Sequence, residues 1–137
     1  MIKALVHDPL LLHRPSQPAT REDLPAAQDL LDTLIAHRET CVGMAANMIG
    51  VWKRIIVFQD GGSYVTMLNP EILKQEAPYE TRESCLSLLG DPRPCRRYEI
   101  IKVRWQTVDF SLRIKTFRGF PAQIIQHEID HCNGVLI

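Results

Sequence analysis

The sequence predicts an α+β domain in which mostly antiparallel strands pack around a C-terminal helix. Within residues 97–107, Ile101, Val103 and Trp105 alternate with polar residues, the pattern of a strand with one buried and one wet face. A Gly61-Gly62 turn between two apolar runs predicts a hairpin. Residues 120–132 have helical spacing, and we expect this helix to pack on the buried face of the sheet.

Length and composition predict a single domain over residues 1–137. Hydrophobic residues make up 45% and charged residues 23%, an ordinary globular balance. The chain has 16 basic and 16 acidic residues, so its bulk charge gives no reason to expect a nucleic acid or an anionic membrane as partner. Lys3, His7 and Asp8 interrupt any signal-peptide core, and no apolar run approaches the roughly 18 residues of a membrane span. We therefore expect a cytoplasmic protein.

Four cysteines are present, at positions 41, 85, 95 and 132. A reducing compartment keeps thiols reduced, so these residues are expected to be free thiols or metal ligands rather than a disulfide framework.

The N-terminal third is predicted to be an arm followed by a helix. Three prolines make residues 1–19 an extended arm. Thr20, with Asp23 three residues later, has the pattern of a capping box that opens a helix. Apolar residues then recur at three- and four-residue spacing, which predicts one buried face. The helix should end near His37, a basic residue suited to a helix C-terminus.

Four strands are predicted in the middle of the chain. Residues 53–58 and 64–68 flank the Asp60-Gly61-Gly62 turn, and residues 97–107 and 111–117 pair about Val108-Asp109. Asn69-Pro70 is expected to end the second strand, and a loop containing Pro78 is expected to lead to residues 83–88. A basic cluster is expected on a solvated loop and strand face: Arg93, Arg96, Arg97, Lys102 and Arg104.

The strongest chemical signal is His-Glu-x-x-His at residues 127–131. On a helix, residues four apart lie on one face, so His127 and His131 can hold one metal ion between them. Glu128 lies beside them as a base for a water molecule at the metal. Pro121 suits the first turn of this helix and Asn133-Gly134 its end. Two surface histidines at helical spacing remain the alternative.

Hydrolytic metal sites usually have three protein ligands and one open position. Only six residues follow His131 in this sequence, so the third ligand is expected upstream. Cys85 ranks first because it sits in a short polar segment between strands, while Cys41 and Cys95 have small, apolar or proline neighbours. The small residues of 41–50 suit close approach of the backbone to a ligand, and equally an ordinary tight crossing.

Three stretches together resemble one family, the peptide deformylases. That family carries Gly-x-Gly-Met/Leu-Ala-Ala-x-Gln, then Glu-Gly-Cys-Leu-Ser, then Gln-His-Glu-x-Asp-His. This sequence has Cys-Val-Gly-Met-Ala-Ala-Asn-Met at 41–48, Glu-Ser-Cys-Leu-Ser at 83–87 and Gln-His-Glu-Ile-Asp-His at 126–131. Asn69-Pro70 and residues 133–136 also look like family landmarks, so the resemblance covers nearly the whole chain.

The resemblance implies an α+β fold and one divalent ion bound by Cys85, His127 and His131. Fe²⁺ is the expected ion in the cell, and Zn²⁺, Ni²⁺ and Co²⁺ suit the same ligands. The implied reaction removes the formyl group from the N-terminal methionine of new polypeptides. The implied substrate is therefore an N-formylated peptide, and the ribosome is an implied partner.

The resemblance also implies roles for residues around the metal. Glu128 would carry the proton, and the backbone N–H of Leu86 would meet the oxyanion together with the motif glutamine. Val42 and Gly43 would line the path of the peptide. Asp130 is expected to have a structural role, such as pairing with an arginine.

Three departures from the family pattern predict a lower rate or a shifted substrate. The motif glutamine is Met48 here, and a thioether cannot donate a hydrogen bond to an oxyanion. Asn47 has an amide but lies one position early, so its side chain should point elsewhere. Cys41 and Ser84 add bulk where the family has glycine. Many relatives also continue into a C-terminal extension, which this sequence does not contain.

Three alternative functions stay open at this point. The first is a deformylase-like protein of low activity that binds metal and acylated peptides. The second is a metal or redox sensor built on Cys85. The third is an endopeptidase of the His-Glu-x-x-His kind. The few residues after His131 disfavour the endopeptidase.

Overall fold

The computed structural model describes the backbone of residues 1–137 and every side chain apart from that of Leu89. Its elements are α1 (Pro9–Leu12), α2 (Leu24–Ala36), β1 (Gly43–Ala45), β2 (Ile55–Asp60), β3 (Ser63–Cys85), β4 (Leu88–Gln106), β5 (Leu112–Arg118) and α3 (Phe120–Cys132). Short 3₁₀ turns lie at Arg21–Asp23 and Ala46–Ile49. The strands form one antiparallel sheet in the order β1-β2-β3-β4-β5, which confirms the predicted α+β class.

The long β3–β4 hairpin is the main departure from the predicted strands. β3 has 23 residues and β4 has 19, so the prediction that Asn69-Pro70 ends a strand and that a loop carries Pro78 is wrong. The register shifts between Leu68 and Glu71, where the chain makes a bulge, and Pro78 pairs with Tyr98. Proline and turn residues thus mark bulges in a continuing strand here, and bulges bend a strand without ending it.

The inner face of the sheet packs against α3, as predicted. Ile101, Val103 and Trp105 are buried in one cluster with Ile125 and Ile129 of the helix. Gln126 ties the helix to the sheet as well, because its side-chain amide pairs with both backbone groups of Tyr98 at 2.8 Å. The helix that carries the histidine motif therefore has a fixed position against β4.

A second buried cluster lies between α2 and the opposite face of the β1–β2 region. It includes Leu30 and Leu34 of α2 together with Ile55 and Val57 of β2. The Asp23 carboxylate accepts a hydrogen bond of 2.8 Å from the Thr20 N–H, which confirms the predicted capping pair. The α2 helix ends before His37, as predicted.

The N-terminal arm runs over the end of α3. The N–H of Ser16 donates to the carbonyl of Cys132 at 2.8 Å, and His13 Nδ1 lies 2.8 Å from the carbonyl oxygen of Gly134. The arm also contains the short helix α1, which the sequence analysis did not predict. These contacts hold the last turn of α3 from the outside.

Two further predictions concern the chain as a whole. The four cysteines are free, with none of them joined in a disulfide. Among the helices of the described residues, none is long and apolar enough to cross a membrane.

Gly134 tests the contact between the arm and the end of α3. Its φ is +76°, and a Cβ there would lie 2.4 Å from the carbonyl oxygen of His13. We expect Gly134→Ala to lower the free energy of unfolding by about 2 kcal/mol or more, measured by urea denaturation. Gly61→Ala is the matched control, since Gly61 has φ +61° and open space, and should cost only about 1 kcal/mol. Equal losses in the two variants would contradict the close packing of the arm.

Candidate metal centre

The tip of the β3–β4 hairpin places Cys85 next to the histidines of α3. Cys85 is the last residue of β3 and pairs with Leu88, the first residue of β4. The sulfur of Cys85 and one ring nitrogen each of His127 and His131 all lie within 4.8 Å of one another. The structure thus brings together the three residues predicted as ligands, while Cys41 and Cys95 do not belong to this group.

The distances in this cluster fit a small divalent ion. The Nε2 atoms of His127 and His131 are 3.1 Å apart. Two nitrogens at about 2.0–2.1 Å from a tetrahedral ion would be separated by about 3.3 Å. Both imidazoles are buried, at 8% and 0% exposure, so an ion here would be shielded from solvent on the side of the helix. A thiolate with two imidazoles suits the divalent transition metals.

Glu83 orients one of the two imidazoles. Its Oε1 lies 2.7 Å from His127 Nδ1, and because a carboxylate only accepts, Nδ1 is the donor and Nε2 faces the cluster. Arg97 donates to both oxygens of Glu83 at 2.7–3.1 Å, and Gln123 donates to Oε2 at 2.8 Å. Arg97 also pairs with Asp130 at 2.7 Å, the arginine partner predicted for Asp130.

Burial and these partners set the charges of the site. Burial opposes the charge of Glu83, but hydrogen bonds from His127, Arg97 and Gln123 outweigh it and hold the pKa of Glu83 well below its usual range. Burial would lower the pKa of His127, but hydrogen bonds with Cys85 and Glu83 raise that pKa to about 10. Burial and the neighbouring charges of His127 and Arg97 lower the pKa of His131 to about 3. Protons therefore compete with a metal ion for His127 more strongly than for His131.

Glu128 is buried next to the cluster with one free oxygen. Its exposure is 4%, and its Oε1 has no hydrogen-bond partner among the described residues. Burial raises the pKa of Glu128 to about 7, which suits a group that takes and returns a proton near neutral pH. A Cβ on Gly43 would lie 2.9 Å from Glu128 Oε2 and 2.7 Å from a methyl carbon of Ile124, so only glycine leaves room for this carboxylate.

A cavity of about 440 Å³ opens onto the cluster. Its walls include the residues predicted to contact substrate or oxyanion: Val42, Gly43, Met48 and Leu86. Cys41 and Ser84 line it as well. Met48 is 1% exposed and packs within the apolar cluster against α2. The cavity thus has an apolar wall where the resemblance calls for an amide donor.

Asn47 points away from this cavity, as predicted. Its amide Nδ2 donates to the carbonyl of His131 at 3.1 Å and, more weakly, to that of Leu12 at 3.5 Å. Asn47 is therefore turned toward the end of α3 and does not replace the missing glutamine.

Sequence reasoning missed two contributors to the site. Arg97 was assigned to a solvated basic cluster, and that assignment is wrong, because Arg97 is 4% exposed and pairs with Glu83 and Asp130. The alternation at Ile101 and Val103 gives no clean signal for position 97, because Glu99 between them and Arg97 is exposed. Gln123 lies four residues before His127, so helical spacing would have placed it on the face of the metal motif.

The sequence of this chain is similar to those of known proteins over nearly its whole length. The family model described as polypeptide deformylase matches residues 3–137. A peptide deformylase of Clostridium beijerinckii is 54% identical over 137 residues, which cover 100% of both chains. A peptide deformylase of Thermotoga neapolitana is 35% identical over 95% of this chain and 80% of its own.

Solved structures agree with these sequence matches. A peptide deformylase of Legionella pneumophila superposes with a TM-score of 0.89 at 31% identity, covering 99% of this chain and 83% of its own. A class I type b peptide deformylase of Acinetobacter baumannii, solved with Met-Ala-Ser bound, gives a TM-score of 0.88 at 27% identity over 99% and 97%. The fold and the cluster thus define a metal-dependent amide hydrolase. The chain belongs to the polypeptide deformylase family.

Glu83 provides a test of the site's supporting contacts. We expect Glu83→Gln to weaken Zn²⁺ affinity by about 10- to 100-fold, because His127 loses the carboxylate that fixes its ring. Affinity is measured by competition with a chelator. Glu80→Gln is the matched control, since Glu80 lies on the same strand and pairs with Arg96 at the surface. An unchanged affinity in Glu83→Gln would show that the carboxylate does not orient the ligand.

Proposed function

We propose that Glu128, Leu86 and the Cys85, His127 and His131 cluster form the catalytic centre of this deformylase. As a member of the family, the chain removes the N-formyl group from the N-terminal methionine of new polypeptides. The observation that carries the assignment of residues is the meeting of three predicted ligand atoms within 4.8 Å, beside a buried carboxylate.

The metal ligands in this proposal are Cys85 Sγ and the Nε2 atoms of His127 and His131. A divalent ion bound there would supply a Lewis acid for the formyl oxygen and would lower the pKa of water to near 7. Glu128 takes the proton from the attacking water and passes it to the leaving amine. Its burial, its pKa near 7 and its unpartnered oxygen support this role.

In this proposal the oxyanion develops on the side of the cavity that Leu86 and Met48 line. The backbone N–H of Leu86, at the hairpin tip, is the proposed donor. Met48 occupies the position of the family's glutamine and offers no donor. Loss of one such donor typically costs about 10²–10³ in rate, so we expect a slower enzyme than relatives that keep the glutamine.

Val42 and Gly43 form the proposed path of the peptide. Gly43 is the first residue of β1, Val42 precedes it, and both line the cavity, where an extended peptide can run beside the strand. The Acinetobacter baumannii relative was solved with Met-Ala-Ser, a peptide that begins with methionine. This supports a methionine-first substrate for the present chain.

We also infer which ion the site holds, where in the cell the protein works, and how many domains it has. Fe²⁺ is the proposed ion in the cell, because thiolate and imidazole ligands accept it, as they accept Zn²⁺, Ni²⁺ and Co²⁺.

The cytoplasm is the proposed location and the ribosome the proposed partner, since formylated chains arise during translation. Residues 1–137 are proposed to be one domain, supported by a single continuous sheet.

Glu128→Gln tests the proton carrier. We expect metal content to stay within about twofold of wild type, while kcat on a formyl-Met peptide falls by about 10²–10⁴-fold. The amide keeps the size of the side chain but cannot accept the proton. Steady-state kinetics on anaerobically iron-loaded protein, with metal analysis of the same sample, provide the measurement. A variant that keeps most of its kcat with full metal content would remove Glu128 from the mechanism.

Met48→Gln tests the cost of the missing donor. We expect kcat to rise at least tenfold, toward the 10²–10³ that one oxyanion donor is worth, with a small change in KM. Met48→Leu is the matched control, because it keeps the apolar wall and adds no donor. A gain in the glutamine variant alone supports the proposed oxyanion site. No gain, or an equal gain with leucine, would mean that the rate is limited elsewhere, for example at Cys41 or Ser84.

A further inference from the structure

The two imidazoles of the cluster have unequal support. His127 Nδ1 is bound by Glu83, whereas His131 Nδ1 is buried without a hydrogen-bond partner among the described residues. A histidine that binds a metal through one ring nitrogen almost always donates its other N–H to an acceptor. The His131 side chain is fully buried, so bulk water cannot provide that acceptor. The acceptor has to be a neighbouring residue, either directly or through an internal water molecule that this residue holds.

Asn47 has the matching free atom. Its side-chain oxygen, Oδ1, is also buried without a partner, and the residue is 1% exposed. Its Nδ2 already contacts the backbone oxygens of His131 and Leu12. Because carbonyl oxygens only accept, the amide nitrogen must face them, and the orientation that leaves Oδ1 free is fixed.

The other buried acceptors without partners are less well placed. Among the described residues they are Ser16 Oγ, Ser87 Oγ and Glu128 Oε1. None of these three side chains has a hydrogen bond to His131, whereas Asn47 has one. Glu128 also lies against Gly43, toward the cavity.

We propose that Asn47 is a positioning residue for the metal ligand His131, with its side-chain oxygen accepting the Nδ1–H of His131 through one buried water molecule. One buried water molecule is the proposed link, because buried waters typically join polar groups that lack a protein partner, as these two atoms do. This proposal rests on the proposed function, since it takes His131 Nε2 as a metal ligand. Asn47 would then fix the tautomer that keeps the Nε2 lone pair directed at the ion.

Two hypotheses for Asn47 make different predictions. A purely structural role would use only Nδ2, which donates a hydrogen bond to the backbone carbonyl of His131 in the last turn of α3. The positioning role uses Oδ1. Asn47→Leu removes both groups at similar size, while Asn47→Asp removes the donor and keeps an acceptor.

The experiment measures Zn²⁺ affinity by chelator competition on refolded, metal-free protein. The positioning role predicts that Asn47→Leu weakens affinity by about 10- to 100-fold and that Asn47→Asp stays within about threefold of wild type or binds more tightly. Ser16→Ala is the matched control, because Ser16 Oγ is a buried oxygen without a partner near the same helix end, and its affinity should be unchanged. Equal losses in the leucine and aspartate variants, or no loss with leucine, would overturn the proposal.

Nuclear magnetic resonance of the zinc-loaded protein keeps the test valid if Asn47→Leu does not fold. The proposal predicts a slowly exchanging Nδ1–H resonance for His131 in the wild-type protein and also in Asn47→Asp, which keeps the acceptor. A wild-type His131 whose Nδ1–H exchanges rapidly with solvent, while that of His127 is protected, would overturn it. Wild-type protein that binds no Zn²⁺ would instead contradict the proposed function itself.

Discussion

The carboxylate of Glu83 connects the sheet to the helix that carries the histidines. It accepts hydrogen bonds from Arg97 on β4 and from His127 and Gln123 on α3. Glu83 lies two residues before Cys85, so one strand end delivers both the thiol and the group that orients an imidazole. Removing one member would leave a buried charge without its partner, which is costly in a protein interior. The register of the β3–β4 hairpin and the position of α3 are therefore coupled.

The site has two sides with different degrees of completeness. On the metal side, every predicted ligand is present, and the charge of Glu83 is balanced by Arg97 and His127. On the oxyanion side, Met48 belongs to the apolar cluster that packs against α2. A buried glutamine at this position would need a partner whenever no substrate is bound, whereas a thioether does not. The substitution thus favours the packing of the free protein over the stabilisation of a transient charge.

Asn47 and Met48 are adjacent residues of the 3₁₀ turn Ala46–Ile49, and they face the two different sides of the site. Successive residues of such a turn are rotated by about 120°, so Asn47 and Met48 cannot face the same way. Met48 lines the cavity, while Asn47 contacts the carbonyl of His131. An amide one position away from the family's glutamine is therefore used for a different purpose, and its presence in the sequence does not restore the lost donor.

The sequence by itself determined the α+β class, the hairpin at Gly61-Gly62, the histidine helix and the choice of Cys85. These features depend on local periodicity, on turn chemistry or on motif spacing, all of which can be recognised along the chain. It also predicted that Asp130 pairs with an arginine, without indicating which one.

Only the tertiary structure decided that β3 continues through Asn69-Pro70 and Pro78, because a bulge and a strand end have the same local residues. It also decided that Arg97 and Gln123 converge on Glu83 and that Asn47 turns to His131. Such contacts join residues 14 to 84 positions apart. A polar residue gains its partner when elements from distant parts of the chain pack together, and that packing is set by the whole buried core.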